Sequence, residues 1–160
     1  MRTAEQLRYL VLAAQREGNR LLARELRPLG LTPSQAEVLR VLADHRSLTL
    51  TGLGELLVCE TGTNPSRLVD RLVAMGAVAR NPGEHDRREV QLGLTAEGRR
   101  LARQVSSVED TICRAIDTAA AGRDVDEVLA FLWAFVAELP AGHALARRIE
   151  RTGPTPESIH

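Results

Sequence analysis

VARNPGEHDRREVQLGLTAEG, running from Val78 to Gly98, is the stretch on which the fold turns. Val78-Ala79-Arg80 and Val90-Gln91-Leu92 alternate apolar and polar side chains with the period of a strand, and Asn81-Pro82-Gly83 supplies turn chemistry between them. The stretch therefore predicts a two-stranded hairpin whose tip, Glu84-His85-Asp86-Arg87-Arg88, is charged and exposed. Asp86 stands two residues from Arg88, where a carboxylate can hold the guanidinium in a bidentate pair. Arg87 points to the other side of a strand-like segment and is the better candidate for contact with a groove or a phosphate. Charged hairpin tips are also commonly just solvated, so the neighbouring segment has to decide what this one does.

That segment reads as two helices and a turn. Apolar residues at Leu50, Leu53, Leu56 and Leu57 give helical spacing up to Val58, residues 59–63 interrupt it, and Asn64-Pro65 restarts a helix with a capping residue and a proline at the first helical position. The second helix should run to Met75, with Gly76 taking the left-handed closing conformation. Leu68, Leu72 and Met75 share a face with Val69 and Val73 beside them, whereas Thr63, Ser66, Arg67 and Asp70 project away. Arg67 offers a fork suited to guanine, and Thr63, Asn64 and Ser66 offer short polar groups. Arg71 suits a phosphate, and the N-terminal amides could meet another. An isolated amphipathic surface helix would carry a similar polar face; the tandem of helix-turn-helix and arginine-tipped hairpin favours DNA.

These residues resemble the MarR family of winged helix-turn-helix transcriptional regulators. The resemblance rests on Leu31-Thr32-Pro33-Ser34-Gln35 opening a helix and Leu48-Thr49 ahead of the helix-turn-helix. It continues through Ser66-Arg67-Leu68-Val69-Asp70-Arg71-Leu72, Gly76 with Val78, and Asp86-x-Arg88-x5-Leu94-Thr95 followed by Glu97-Gly98. One departure is the segment from Val58 to Thr63, which is longer than the commonest family version and leads into Asn64-Pro65. The resemblance implies a mainly α fold, a winged helix-turn-helix with a two-stranded wing and long N- and C-terminal dimerisation helices. It implies a cytoplasmic, sequence-specific DNA-binding regulator, a repressor acting as a homodimer on a pseudo-palindromic site. The DNA-contacting set is then Thr63, Asn64, Ser66, Arg67, Asp70, Arg71, Asp86, Arg87 and Arg88.

Composition agrees. A chain of 160 residues with 44% hydrophobic and 26% charged content can build one core, and no apolar run approaches the ~20 residues that span a bilayer. Every basic residue other than histidine is arginine, and the net charge is zero. Zero net charge argues against nucleic acid until its distribution is read: residues 64–103 hold eight arginines against five acids, a net +3 where the motifs lie.

The ends of the chain point to a second copy of it. Leu7, Leu10, Val11, Ala14, Leu21, Leu22 and Leu26 stripe a helix from Thr3 to about Arg27, with Thr3 and Gln6 spaced as a capping box. A second helix begins at Thr95 and runs to the Ala119-Ala120-Ala121-Gly122 break; a third follows Asp124 to Leu139, and Ala141 to Ile149 adds a short one. The expected division is an N-terminal dimerisation helix over 1–30, the winged unit over 31–98, C-terminal dimerisation helices over 99–152 and a frayed tail over 153–160.

In the resembled family a small aromatic or lipophilic effector often binds where the dimerisation helices meet the winged domain. Here Leu10, Val38, Leu42 and Leu101 would line such a pocket, and plain core is an equally good description of them. Two alternatives stand beside a ligand-relieved repressor. Cys59 could act as a redox switch, although peroxide sensors of the family use a cysteine near the start and residues 1–31 contain none. An architectural DNA-binding protein would need no effector. The cysteines Cys59 and Cys113 and the four histidines show no metal-ligand spacing, no cofactor is implied, and Ser66, His85 and Asp86 form no positioned triad, so an enzyme is not expected.

Overall fold

The computed structural model describes residues 1–58, 64–83 and 89–152. Helix α1 (Thr3–Leu26) passes through a short 3-10 turn (Arg27–Leu29) to α2 (Pro33–Ala43), α3 (Leu50–Gly54) and α4 (Pro65–Ala74). Strands β1 (Val78–Pro82) and β2 (Val90–Leu94) follow, and then α5 (Ala96–Ala120), α6 (Val125–Val136) and α7 (Pro140–Thr152). No helix among the described residues is long and apolar enough to cross a membrane.

Local chemistry sets the helix ends. Thr32 caps α2 reciprocally: its hydroxyl accepts from Gln35 N–H at 3.3 Å and its own N–H donates to Gln35 Oε1 at 2.9 Å, with Pro33 at the first helical position. Thr49 caps α3 by accepting from Gly52 N–H at 3.0 Å. At the chain start the capping box lies one residue earlier than its spacing predicts. Thr3 is already helical, and Arg2 N–H donates to Glu5 Oε2 at 2.9 Å.

The helix expected from Leu50 to Val58 closes at Gly54. Glycines at 52 and 54 weaken helix propagation, and Leu56 and Leu57 reach the core from the following turn instead. The hairpin is also longer than expected. Asn81 and Pro82 remain in β1, opposite Gln91 and Val90, because a two-stranded ribbon leaves an edge where proline's missing N–H costs nothing. Gly83 N–H then closes on Glu89 carbonyl at 2.7 Å. Leu48 adds a bridge on the far side of β2, exchanging backbone bonds with Leu92 at 3.1 and 2.7 Å.

One buried cluster joins Leu26, Leu39, Leu53, Leu72, Leu92 and Val105, from the end of α1 through the winged unit to the first half of α5. Val38, Leu42 and Leu101 belong to it, while Leu10 is exposed on α1. The four residues proposed to line an effector pocket are thus not brought together: three are core and the fourth faces outward. Helix α6 contributes no buried residue.

Candidate nucleic-acid interface

Helix α4 is held from behind and open in front. Leu68, Val69 and Leu72 are buried, and Arg67, Asp70, Arg71 and Ala74 form the exposed face at helical spacing. Asn64 caps the helix, its Oδ1 accepting from Ser66 N–H at 2.9 Å, and Arg67 N–H donates to Asn64 carbonyl at 2.9 Å. Pro65 has no N–H to give. The first-turn amides are therefore satisfied inside the helix, which corrects the expectation that they would meet a phosphate, and Asn64 serves first as a cap. Ser66 is half-buried. The guanidinium groups of Arg67 and Arg71 have no ion-pair or hydrogen-bond partner among the described residues, and two forks stand on this face.

Asp70 is engaged. Its Oδ1 lies 2.6 Å from Nη2 of Arg80 on β1, which ties the face of α4 to the hairpin. A carboxylate so paired repels a phosphate less than a bare one and fixes the angle between the two elements. Sequence reading missed Arg80 because its partner is ten residues away and only the tertiary fold brings them together. Thr63, Asp86, Arg87, Arg88 and the redox candidate Cys59 lie outside the described residues.

The motif Leu94-Thr95-x-Glu97-Gly98 has a structural cause. Thr95 Oγ1 donates to Gly76 carbonyl at 2.6 Å and accepts from Gly98 N–H at 3.0 Å, and Thr95 N–H donates to Ala77 carbonyl at 3.0 Å. The end of α4, where Gly76 has φ 70°, is thereby latched to the start of α5. Gly98 permits the approach, since a Cβ there would stand 1.9 Å from Ala77 O.

A second clamp was not legible in the sequence. Glu37 on α2 is only 6% exposed, and its Oε1 accepts from Val58 N–H at 2.7 Å and from Arg148 Nη1 of α7 at 2.9 Å. Arg147 Nη1 donates to Glu55 carbonyl at 3.3 Å. The C-terminal helix thus grips the chain just past α3, ahead of the segment that leads into α4. No local pattern marks Glu37, which reads as an ordinary helical glutamate until α7 is packed against it.

Residues 31–90 match the profile of the MarR family. Over 112 residues, 70% of this chain and 76% of its relative, the sequence is 30% identical to the organic hydroperoxide resistance transcriptional regulator of Bacillus subtilis. The fold superposes on a mutant MarR from E. coli complexed with operator DNA, with TM-score 0.67 and 27% identity, covering 84% of this chain and 94% of that one. It also superposes on MepR of S. aureus in a MepR–DNA complex, with TM-score 0.74, 22% identity and coverage of 82% and 96%; at that identity the likeness is one of fold.

Proposed function

The chain belongs to the MarR family of winged-helix transcriptional regulators, DNA-binding proteins and not enzymes, and we propose that it is a cytoplasmic homodimeric repressor of a pseudo-palindromic operator, relieved by a small molecule. The observation that carries the DNA reading is the exposed face of α4: the Arg67 and Arg71 side chains unpartnered among the described residues, Asp70 held by Arg80, and the opposite face locked into the core. Arg67 reads a base edge and Arg71 positions on a phosphate. Thr63, Ser66 and the hairpin-tip residues Asp86, Arg87 and Arg88 extend the contact, and the E. coli relative of the same fold binds operator DNA.

Residues 31–98 act as the reading unit, with 1–30 and 99–152 as the arms that join two copies. Leu7, Leu10 and Val11 on α1 and Val128, Leu129, Phe131 and Phe135 on α6 are all exposed in the single chain. A helix apolar on every side is at home only when covered, and a second copy covers it symmetrically. Two-fold symmetry then sets the readers about 34 Å apart, one turn of the duplex.

Selection of bound sequences from a random duplex pool at near-physiological salt tests the reading. A two-fold motif with half-sites one turn apart is expected, and expression of the chain should lower transcription from a reporter carrying it. A pool that shows no enrichment would leave a non-specific binder and overturn the proposal.

A further inference from the structure

Helix α7 is anchored at both ends, and each end holds a different part of the chain. At its start the turn out of α6 is tight: Leu139 N–H donates to Val136 carbonyl at 2.9 Å, His143 N–H donates to Leu139 carbonyl at 3.0 Å, and a Cβ at Gly142 would stand 1.9 Å from Val136 O. Further along, Ala144 is buried, Arg147 Nη1 lies 3.9 Å from Glu55 Oε2 as well as 3.3 Å from its carbonyl, and Arg148 Nη1 lies 2.9 Å from Glu37 Oε1. The Arg148 charge also reaches Glu109 on α5, where it favours the ionised carboxylate. One arginine of α7 thus answers acids on both α2 and α5.

Helix α6 has little else to place it among the described residues. It buries no residue of its own, and its other ties are the turn from α5 and an open apolar groove shared with α1. In that turn Arg123 N–H donates to Ala120 carbonyl at 3.0 Å and Gly122 has φ 74°. A helix held at one turn can pivot about it, and a second anchor at its far end removes that freedom. The α7 anchor is stiff for an electrostatic reason. Glu37 is buried, so its pair with Arg148 is charge-assisted and poorly screened, and separating the two charges is costly. The same Glu37 Oε1 accepts from Val58 N–H, so the anchor point is the segment that leads into α4.

We propose that α7 is a strut that fixes the angle between α6 and the winged unit, and that Arg148 and Glu37 are positioning residues for the half-site spacing the dimer accepts. With α6 in the joined arms of the dimer, a swing of α6 about its turn moves the two α4 helices relative to one another. One base pair shifts a half-site by about 3.4 Å along the duplex and turns it by about 34° around the axis, so a small change of angle alters which spacing fits. Neither residue touches DNA; both act through the placement of α4. The spacing step rests on the dimeric operator reading above; the strut does not.

Two measurements on the full chain test it. The first needs no DNA: spin labels at Arg71→Cys on α4 and Glu138→Cys just past α6, in a Cys59→Ser, Cys113→Ser background, report one intrachain distance when labelled chain is diluted into unlabelled chain. A single narrow distance is expected with Arg148 in place, a broad distribution in Arg148→Ala, and an intermediate one in Arg148→Lys, which keeps the charge and loses the fork. The second measures affinity, well below every melting temperature, for duplexes whose selected half-sites are moved together or apart by one or two base pairs, and for a single half-site. The unaltered chain should fall steeply away from the selected spacing. Arg148→Ala and Glu37→Gln should reduce that preference by about tenfold and leave the single half-site unchanged. A staple that only stabilises would lower the melting temperature and keep the shape of the spacing profile. An unchanged profile, an equal loss on the single half-site, or a label distance that stays narrow in Arg148→Ala overturns the proposal. If Arg148→Ala does not fold, Arg148→Lys and Glu37→Gln carry both measurements. A chain whose label distances behave as expected but that selects no two-fold motif would sink the operator reading alone.

Discussion

The winged core and helix α6 are both rich in large apolar side chains, and the chain treats them oppositely. Leu39, Leu53, Leu72 and Leu92 are fully buried, each surrounded by neighbours from several elements, whereas Phe135 is 66% exposed and no residue of α6 is buried. On the proposed reading the two kinds of apolar surface have different partners, one inside the chain and one in a second copy. Removing Leu72 tests the first kind. Leu72→Ala should cost about 2–5 kcal/mol in urea unfolding, since it deletes packed methyls from a site with little room to collapse. Phe135→Ala should leave the winged core intact and weaken self-association, read from the fluorescence of the single tryptophan, Trp133 on α6, on dilution. A loss from Phe135→Ala that matched Leu72→Ala and ignored protein concentration would break the comparison, placing α6 against its own chain.

Glu37 sharpens it, because it joins the two regions. Its carboxylate receives a core backbone N–H and an arginine from the C-terminal arm. Glu37→Ala leaves both donors facing a low-dielectric pocket and should cost about 2–3 kcal/mol of stability. Glu37→Gln keeps an acceptor for Val58 N–H and should cost clearly less. Equal losses would mean that only the charge of Glu37 matters and that Val58 is positioned by something else.

On the exposed face of the core the expected effect moves from stability to recognition. Arg67→Ala should leave the melting temperature nearly unchanged and cost about 1–3 kcal/mol of operator binding, with relaxed preference at one position of each half-site. Equal loss on operator and random DNA would reassign Arg67 to the phosphates. Arg71→Ala should show that second pattern.

Periodicity and capping chemistry carried most of the fold because they are local. Thr32-Pro33-Ser34-Gln35, Asn64-Pro65 and Gly76, and Thr95 in its cap on Gly98 N–H, each act within a few residues, and each terminates or turns an element where the sequence places it. Leu50 to Val58 failed for the same reason: apolar spacing persists through Leu56 and Leu57, but two glycines end the helix and tertiary packing buries those leucines anyway. At the site, the exposed arginines of α4 were legible from helical geometry. The groups that position them were not. Arg80 with Asp70, and Arg148 with Glu37, are pairs separated by ten residues or far more, and only the packed chain shows that they meet. The effector lining was not legible either, since an apolar residue on a helix face reads the same whether it faces a pocket or a core; Val38, Leu42 and Leu101 lie in the core and Leu10 is exposed in the single chain.

The smallest effect lies where α2 meets α5. Burial pushes the Glu109 carboxyl above its ordinary value of 4.5, and the neighbouring Arg40 guanidinium offsets the shift only in part. The folded chain therefore holds the Glu109 proton at a pH where the unfolded chain has released it. That makes the ionised group a small liability at neutral pH. Its penalty is relieved as pH falls through the raised folded value toward 4.5, and below 4.5 it contributes nothing further. Glu109→Gln removes the titration. At neutral pH the variant should be as stable as the parent or more stable by a few tenths of a kcal/mol, up to about 1, a modest figure because the side chain remains partly solvated. The informative quantity is the difference between parent and variant across the pH series, because the other carboxylates cancel in it. That difference should shrink on acidification toward 4.5. A variant less stable than its parent at neutral pH would mean that the Arg40 pair outweighs burial and that this contact between α2 and α5 is held by charge, unlike the apolar core it borders.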